Sequence, residues 1–418
     1  MTQQPPNMNL SVDEALERIL QRVPVLEPVS VPLSQAFGLI LAEEVRSPAD
    51  LPGWDNSAVD GFAVRSEDFA TGEALLEVVG EAYAGRIPDR SVASGQALRI
   101  TTGAPMPAGA DAAVMVEDTC LEGGRIRARG RVSAGQNVRR AGEALREGQR
   151  VLLPGRVLDP AALGMAATVG RSTLRCHPRP QVAVLSTGDE LVEPGLPLRP
   201  GQIHDSNSYT LEALVRLAGG EPVRFGVLED RLEVLKQALR RSAEETDLVL
   251  TSAGVSMGER DLVRAALEAL GGELDLWKVR MRPGKPLAFG SLGGVPMIGL
   301  PGNPVSSMIG FEVFVRPALR KMAGHPAESR RVLRARLAEA VDKPQALRVF
   351  ARCRLAESAD GSWRLHLTGP QGSGILMSML EAQALAILPE GVARVEAEDE
   401  VEVRLLDHLE GWRLQVRP

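Results

Sequence analysis

A chain of 418 residues is too long for one hydrophobic core, and its length sets a prior of about three domains. Hydrophobic residues make up 44% and charged residues 24%, which excludes a disordered chain. A net charge of -6 with 3% aromatics excludes a broad nucleic-acid surface and base-stacking platforms.

No apolar run reaches the ~18 residues of a membrane-spanning helix. The N-terminus has no basic segment ahead of an apolar one, so no secretory signal is expected and the expected compartment is the cytoplasm. Cys120, Cys176 and Cys353 lie too far apart for a disulfide framework or a CxxC metal pair. The histidines are equally scattered, so no zinc site is expected from them.

The first predicted element is a helix. Ser11 and Glu14 have capping-box spacing, and Ala15, Leu16, Ile19, Leu20 and Val23 form a stripe. Residues 50–145 are rich in Gly and turn residues, with short runs such as LLEVVG and AAVMVE, and predict a small β domain. After it, VLLPG predicts a strand. DPAALGMAATVG predicts a helix capped by Asp159 with Pro160 in its first turn. The 50–145 segment therefore reads as an insert in a discontinuous domain of residues 1–49 and 146–178.

Residues 179–326 alternate strands with helices, which predicts right-handed βαβ units and a mostly parallel, doubly wound sheet. LWKVRM reads as one strand and PVSSMIGFEVFVRPAL as one helix. Residues 327–418 carry short alternating runs, from RVLRARL to WRLQV, and predict a small β-barrel or β-sandwich. The fold class is multidomain, α/β plus β.

In an open parallel sheet, ligands bind outside the carboxyl ends of the strands. The loops expected there carry Ser186-Thr187-Gly188-Asp189-Glu190, Glu229-Asp230, the run from Ser252 and Ala253 through Gly254 and Ser256 to Glu259 and Asp261, Arg282-Pro283-Gly284-Lys285, and Pro301-Gly302-Asn303-Pro304. Gly turns that open helices offer N–H groups to an anion, with Asn303 as an N-cap. A Gly after a strand is also an ordinary turn. Acids facing phosphate loops repel an anion unless a cation lies between, and Mg²⁺ suits carboxylate and phosphate oxygens. Lys278, Arg282 and Lys285 add positive charge in a chain with five lysines. Together these residues predict a Mg²⁺-dependent site for a phosphate-bearing small molecule.

The insert holds a second constellation: Asp55, Asn56, Ser57 and Asp60; Thr101, Thr102 and Glu117; and Gln136, Asn137, Arg139, Arg140 and Glu143. Such density is either turn chemistry or the lining of an anion cleft.

DNSAVDGFAV, TTGAPMPAGADAAV, GQNVRRAGE, STGDEL, GQIHDSN, SAGVSMGERD, RPGKPLAFG and LPGNPVSS occur in this order along the chain. The set closely resembles the molybdopterin molybdenumtransferases, the MoeA-type family that includes the gephyrin E domain. The resemblance implies a central domain of molybdopterin-binding type. It also implies a four-domain elongated homodimer whose cleft joins the α/β domain of one subunit to the insert of the other. The implied reaction consumes adenylylated molybdopterin and molybdate, releases AMP with Mg²⁺, and leaves molybdenum in the dithiolene.

By the same resemblance Asp60, Glu190, Asp230 and Asp261 match the important acids, the last three as metal ligands. Thr102, Arg139, Lys278, Arg282, Lys285, Pro301 and Ser373 match binding positions. The implied protein partners are a molybdopterin adenylyltransferase and molybdoenzyme maturation proteins. Arg282 stands where Lys is common. Ala144 replaces a frequent Asp, whose task Glu143 is expected to cover by orienting Arg139. Ala253 replaces a Gly, which is tolerable where φ is negative. Competing readings are a Mg²⁺-dependent hydrolase or adenylyltransferase acting on a phosphate-bearing pterin or nucleotide, a tungsten-inserting relative, and a non-catalytic scaffold.

Overall fold

The computed structural model describes residues 8–253, 262–326, 333–357 and 361–406. Its central sheet has seven strands: Met8–Leu10, Gln181–Thr187, Glu221–Leu228, Leu248–Ser252, Glu273–Val279, Pro286–Leu292 and Val295–Leu300. Their spatial order is 8–10, 273–279, 286–292, 295–300, 248–252, 181–187 and 221–228. Pairings are parallel except on both sides of 286–292.

Strand residues alternate between two apolar faces, so helices cover both. Val182, Val184, Leu248, Leu250 and Ile298 pack with the helices Val12–Arg22 and Asn207–Leu217 and with the helical run from Pro304. Ala183, Leu185, Val249 and Met297 pack with Leu232–Glu245 and Leu262–Ala269. The sheet is doubly wound, and each fully buried aliphatic contributes roughly 1.5–3 kcal/mol.

The first helix forms as expected: Ser11 Oγ accepts the Glu14 N–H at 3.2 Å, and Glu14 Oε2 accepts the Ser11 N–H at 2.7 Å. Its location corrects the sequence reading. Residues 8–10 pair with 277–279, and Leu10, Ala15, Ile19 and Val23 belong to the central core. The beginning of the chain therefore joins the α/β unit rather than the 146–178 segment. An isolated amphipathic stripe does not reveal which core it will meet.

Residues 29–46 and 150–177 do pack together, through Leu41, Val45, Leu152, Leu158 and Cys176. Their helix Pro160–Thr168 is capped by Asp159, whose Oδ1 accepts the Ala162 N–H at 2.7 Å. Between them lies a six-stranded mixed sheet running from Gly61–Val64 to Arg125–Arg129, with apolar clusters around Phe62 and Leu98.

Two further expectations change. The run from Pro304 is not one α-helix: a π-helical turn, Phe311–Val315, separates Pro304–Gly310 from Arg316–Met322. Beside it Arg316 donates to both Glu312 oxygens at 2.6 and 2.8 Å, with both side chains 3% exposed. LWKVRM likewise splits. The central strand ends at Val279, and Met281–Arg282 pairs in parallel with Arg348 and Val349 of the C-terminal unit. Lys278 and Arg282 thus serve different sheets.

In that unit the strands Leu333–Leu337, Arg348–Glu357, Trp363–Leu367, Ala384–Leu388 and Glu400–Leu405 close on themselves through the 348–357/384–388 pairing. It is a barrel rather than a sandwich.

Candidate active site

The parallel pairings bring the carboxyl ends of 181–187, 221–228, 248–252 and 295–300 to one edge. Two successive antiparallel pairings return 273–279 to the same direction, so its end lies there too. Ser186, Thr187, Gly188, Asp230, Ser252, Lys278, Lys285, Pro301, Gly302, Asn303 and Pro304 are therefore neighbours on one edge. Gly254, Ser256, Glu259 and Asp261 lie outside the described residues.

The acids come together. The Asp230 N–H donates to Asp189 Oδ1 at 3.2 Å. Partial burial first, then the charges of Asp189 and Glu190, raise the Asp230 pKa above the ordinary carboxylate value. Gly188 has φ +151, and a Cβ there would fall 2.6 Å from Glu190 Oε2. Absence of a side chain at Gly188 lets the Glu190 carboxylate lie against the turn. None of these three carboxylates forms an ion pair among the described residues.

The cations form a second part of the edge. Lys278 is half-buried, and Arg282 and Lys285 are exposed. None of the three pairs with a carboxylate among the described residues, although most arginines around them do. Behind Arg282 stands Arg352, 1% exposed. Burial first, and Arg282 in part, lower its pKa to about 10. Its guanidinium donates to Ser378 Oγ and the Gly372 carbonyl, both at 3.1 Å, and so holds the barrel loop that presents Ser373.

Asn303 occupies the expected N-cap position, but its side chain does not cap the helix. Its Nδ2 donates instead to Ser373 Oγ at 3.1 Å. At Ala253, φ is +73, contrary to the negative value that its tolerance required. A left-handed Ala costs roughly 1–2 kcal/mol. The turn is strained at Ala253.

Sequence reasoning missed the floor beneath the turns. Asp205, Asn207 and Ser208 are buried at the start of the helix Asn207–Leu217. Ser186 Oγ and Ser208 Oγ are 2.8 Å apart, and Asp205 Oδ1 accepts the Ser208 N–H at 3.1 Å. Asn207 Nδ2 reaches Ser252 Oγ and the Gly302 carbonyl. The signal was the GQIHDSN motif, in which three polar residues open an amphipathic helix.

The insert gathers its own group. Asp60 Oδ1 accepts the Thr102 N–H at 2.7 Å. Asp55 accepts the Ala141 N–H at 2.8 Å and Arg140 NH1 at 2.5 Å, and these bonds, in that order, hold its carboxyl below the usual range. Arg139 pairs in register with Asn56. Glu143 does not orient Arg139. It accepts the Arg140 N–H at 2.9 Å, and Ala144 beside it is exposed. Among the described residues no hydrogen bond or ion pair joins this group to the sheet edge. One chain thus carries two separate groups.

Among the described residues no cluster of three or more acids, histidines or cysteines forms a ready-made metal cage. No helix among the described residues is long and apolar enough to cross a membrane.

Three family models match the chain: "MoeA N-terminal region (domain I and II)" over residues 10–170, "Probable molybdopterin binding domain" over 183–321, and "MoeA C-terminal region (domain IV)" over 334–406. The chain is 39% identical to molybdopterin molybdenumtransferase 2 of Mycobacterium tuberculosis over 404 residues, 94% of this chain and 98% of that protein. It is 35% identical to molybdopterin molybdenumtransferase of Haemophilus influenzae over 409 residues, 96% of this chain and 100% of the other. A crystal structure of a molybdopterin biosynthesis MoeA protein from Pyrococcus horikoshii superposes with a TM-score of 0.79 at 31% identity, covering 95% of this chain and 99% of that one.

Proposed function

The chain belongs to the MoeA family of molybdopterin molybdenumtransferases, and on that premise we propose that it joins molybdate to adenylylated molybdopterin with Mg²⁺-dependent release of AMP. It is a transferase of molybdenum cofactor biosynthesis. One observation carries the finer reading. Lys278 and Lys285 share the edge of the central sheet with three crowded acids, Asp189, Glu190 and Asp230, and Arg282 lies between the two lysines in the chain on a strand of the barrel; none of the three cations has a carboxylate partner among the described residues. A substrate with an anionic oxo-metal end and a phosphate end suits both.

The cations bind molybdate, a tetrahedral dianion, by fixed charge. The turns at Ser186–Gly188, Ser252 and Pro301–Pro304 bind phosphate oxygens through N–H and hydroxyl donors. Gly254 and Ser256 are assigned to the same turns. Asp230 is crowded by the charges of Asp189 and Glu190, which favours a cation among them. Glu190, Asp230 and Asp261 would hold Mg²⁺, which screens phosphate charge when bound. Asp60, fixed by the Thr102 N–H, and Arg139 and Arg140 supply the other wall of the cleft.

Because the two groups do not meet within one chain, the proposed unit is a homodimer in which the insert of one subunit faces the sheet edge of its partner. The proposed compartment is the cytoplasm. In support, Cys120, Cys176 and Cys353 are free thiols. A molybdopterin adenylyltransferase as donor and molybdoenzyme maturation proteins as acceptors are the proposed protein partners.

The test is incubation with adenylylated molybdopterin, Mg²⁺ and molybdate, reading AMP and molybdenum cofactor together. Equal amounts of both are expected, with loss of both in EDTA. AMP without cofactor would make the protein a hydrolase.

A further inference from the structure

The strands Leu248–Ser252 and Val295–Leu300 are adjacent, with Ser252 opposite Leu300 in register. The turns that follow them both leave the same edge. Their separation is set by few contacts. The Ala253 N–H donates to the Leu300 carbonyl at 3.0 Å, and the Ala253 Cβ lies 3.4 Å from where a Cβ on Gly302 would stand. Beneath both turns, Asn207 Nδ2 donates to Ser252 Oγ at 2.7 Å and to the Gly302 carbonyl at 2.7 Å. One amide nitrogen has two hydrogens, and here each turn receives one.

We propose that Asn207 is a positioning residue for the reaction: its side-chain amide clamps the Ser252 turn to the Gly302 turn and so fixes the spacing of the donors that receive the substrate's phosphates. This assignment rests on the functional reading above and extends it to a residue outside the ligand-touching set. Asn207 is 9% exposed, Ser252 2% and Ser208 0%, so the clamp works in a site with little competing water. Its other end carries no equivalent load. Asn207 Oδ1 is buried and has no hydrogen-bond partner among the described residues. Both donors of the amide are spent on the two turns.

The chemistry of the amide separates the clamp from mere volume. Asn207→Asp keeps shape and acceptor but replaces the donating nitrogen with an oxygen that repels the Gly302 carbonyl. Asn207→Ala removes both bonds. Ser252→Ala removes one arm and leaves the other. The clamp changes where donors stand and leaves the reacting groups in place, so its loss falls on KM rather than kcat.

The experiment measures kcat, KM for adenylylated molybdopterin, and backbone amide exchange at residues 252–253 and 302–305, in the full-length protein. For Asn207→Ala and Asn207→Asp, KM rises about tenfold or more, kcat stays within roughly threefold, and exchange accelerates at both turns. Ser252→Ala accelerates exchange at residues 252–253, and adding it to Asn207→Ala brings no further acceleration there, since the arm is already gone. A folded Asn207→Ala with wild-type KM overturns the assignment, and so does a raised KM with exchange unchanged at both turns. If the Asn207 variants do not fold, wild-type exchange at residues 252–253 in Ser252→Ala overturns it instead. A wild-type protein that turns over no adenylylated molybdopterin refutes the functional reading, while the exchange comparison still decides whether the clamp exists.

Discussion

Asn303 Nδ2 donates to Ser373 Oγ at 3.1 Å, and the Ser373 carbonyl accepts the N–H of Val305, two residues beyond Asn303, at 3.1 Å. The barrel loop is thereby seated on the turn that follows the last strand of the central sheet. The second bond belongs to the backbone and survives side-chain truncation. Ser373→Ala is therefore expected to lower kcat/KM by less than about tenfold, or roughly 1.4 kcal/mol. Steady-state kinetics check it, and a hundredfold loss would assign the hydroxyl to the substrate directly.

Glu312 and Arg316 form a doubly hydrogen-bonded pair inside the core, and Arg316 also donates to the Leu217 carbonyl at 3.3 Å. Removing Glu312 takes two charge-assisted hydrogen bonds from a buried guanidinium. Glu312→Ala is expected to cost about 3–5 kcal/mol of stability. Urea unfolding of the variant measures it. A cost below about 1 kcal/mol would mean that water reaches the π-helical turn.

Asp230 has its pKa raised in the folded state, by burial first and then by Asp189 and Glu190. The folded protein therefore binds that proton more tightly than the unfolded chain. The resulting stability is fully present below the unfolded pKa, near about 4, and is lost as pH rises through the folded value. In metal-free buffer Asp230→Asn should raise Tm at pH 7, and the gain should vanish as pH falls toward about 4. Calorimetry across that range decides it. An equal or lower Tm for the variant at pH 7 contradicts the crowding of the three acids.

Ala253 adopts φ +73. Glycine relieves roughly 1–2 kcal/mol of left-handed strain and costs roughly 0.5–1 kcal/mol of backbone entropy. Ala253→Gly should therefore stabilise the protein by up to about 1.5 kcal/mol and keep activity within about tenfold. Denaturant midpoints and AMP release test the two halves separately.

The two residue groups predict intersubunit complementation. Asp60→Ala and Asp230→Ala should each be inactive alone. Mixed and reassembled, they should form heterodimers with one intact cleft and recover part of the activity. No recovery in verified heterodimers would place the cleft within one chain.

Local chemistry was legible in the sequence. The Ser11–Glu14 capping box and the Asp159 cap depend on neighbours three residues apart, and both form. The strand–helix alternation also fixed which loops share an edge. What escaped depends on distant approach. Nothing near Met8 announces a partner at Trp277, and a two-residue strand at Met281–Arg282 is too short for any periodic signal. Nothing beside Asn207 marks it as a clamp, because the two turns it ties lie 45 and 95 residues away in the chain. Asn303 was placed correctly as a cap position, but its side chain followed a barrel loop instead. Ala253 shows the same limit, since its conformation is imposed by the turn and not by alanine.

The pairing of residues 8–10 with 277–279 also sets a timetable. Arg280 NH1 donates to the Asn9 carbonyl at 3.0 Å across 271 residues of chain. At about 5–20 residues per second, a ribosome needs roughly 15–50 s to deliver that partner after the first strand has emerged. For that interval the edge strand and its amphipathic helix wait without their sheet, while the insert can already fold. Slower elongation lengthens the wait, so yield of native protein should be most sensitive to translation speed and chaperone supply between the insert and residue 280.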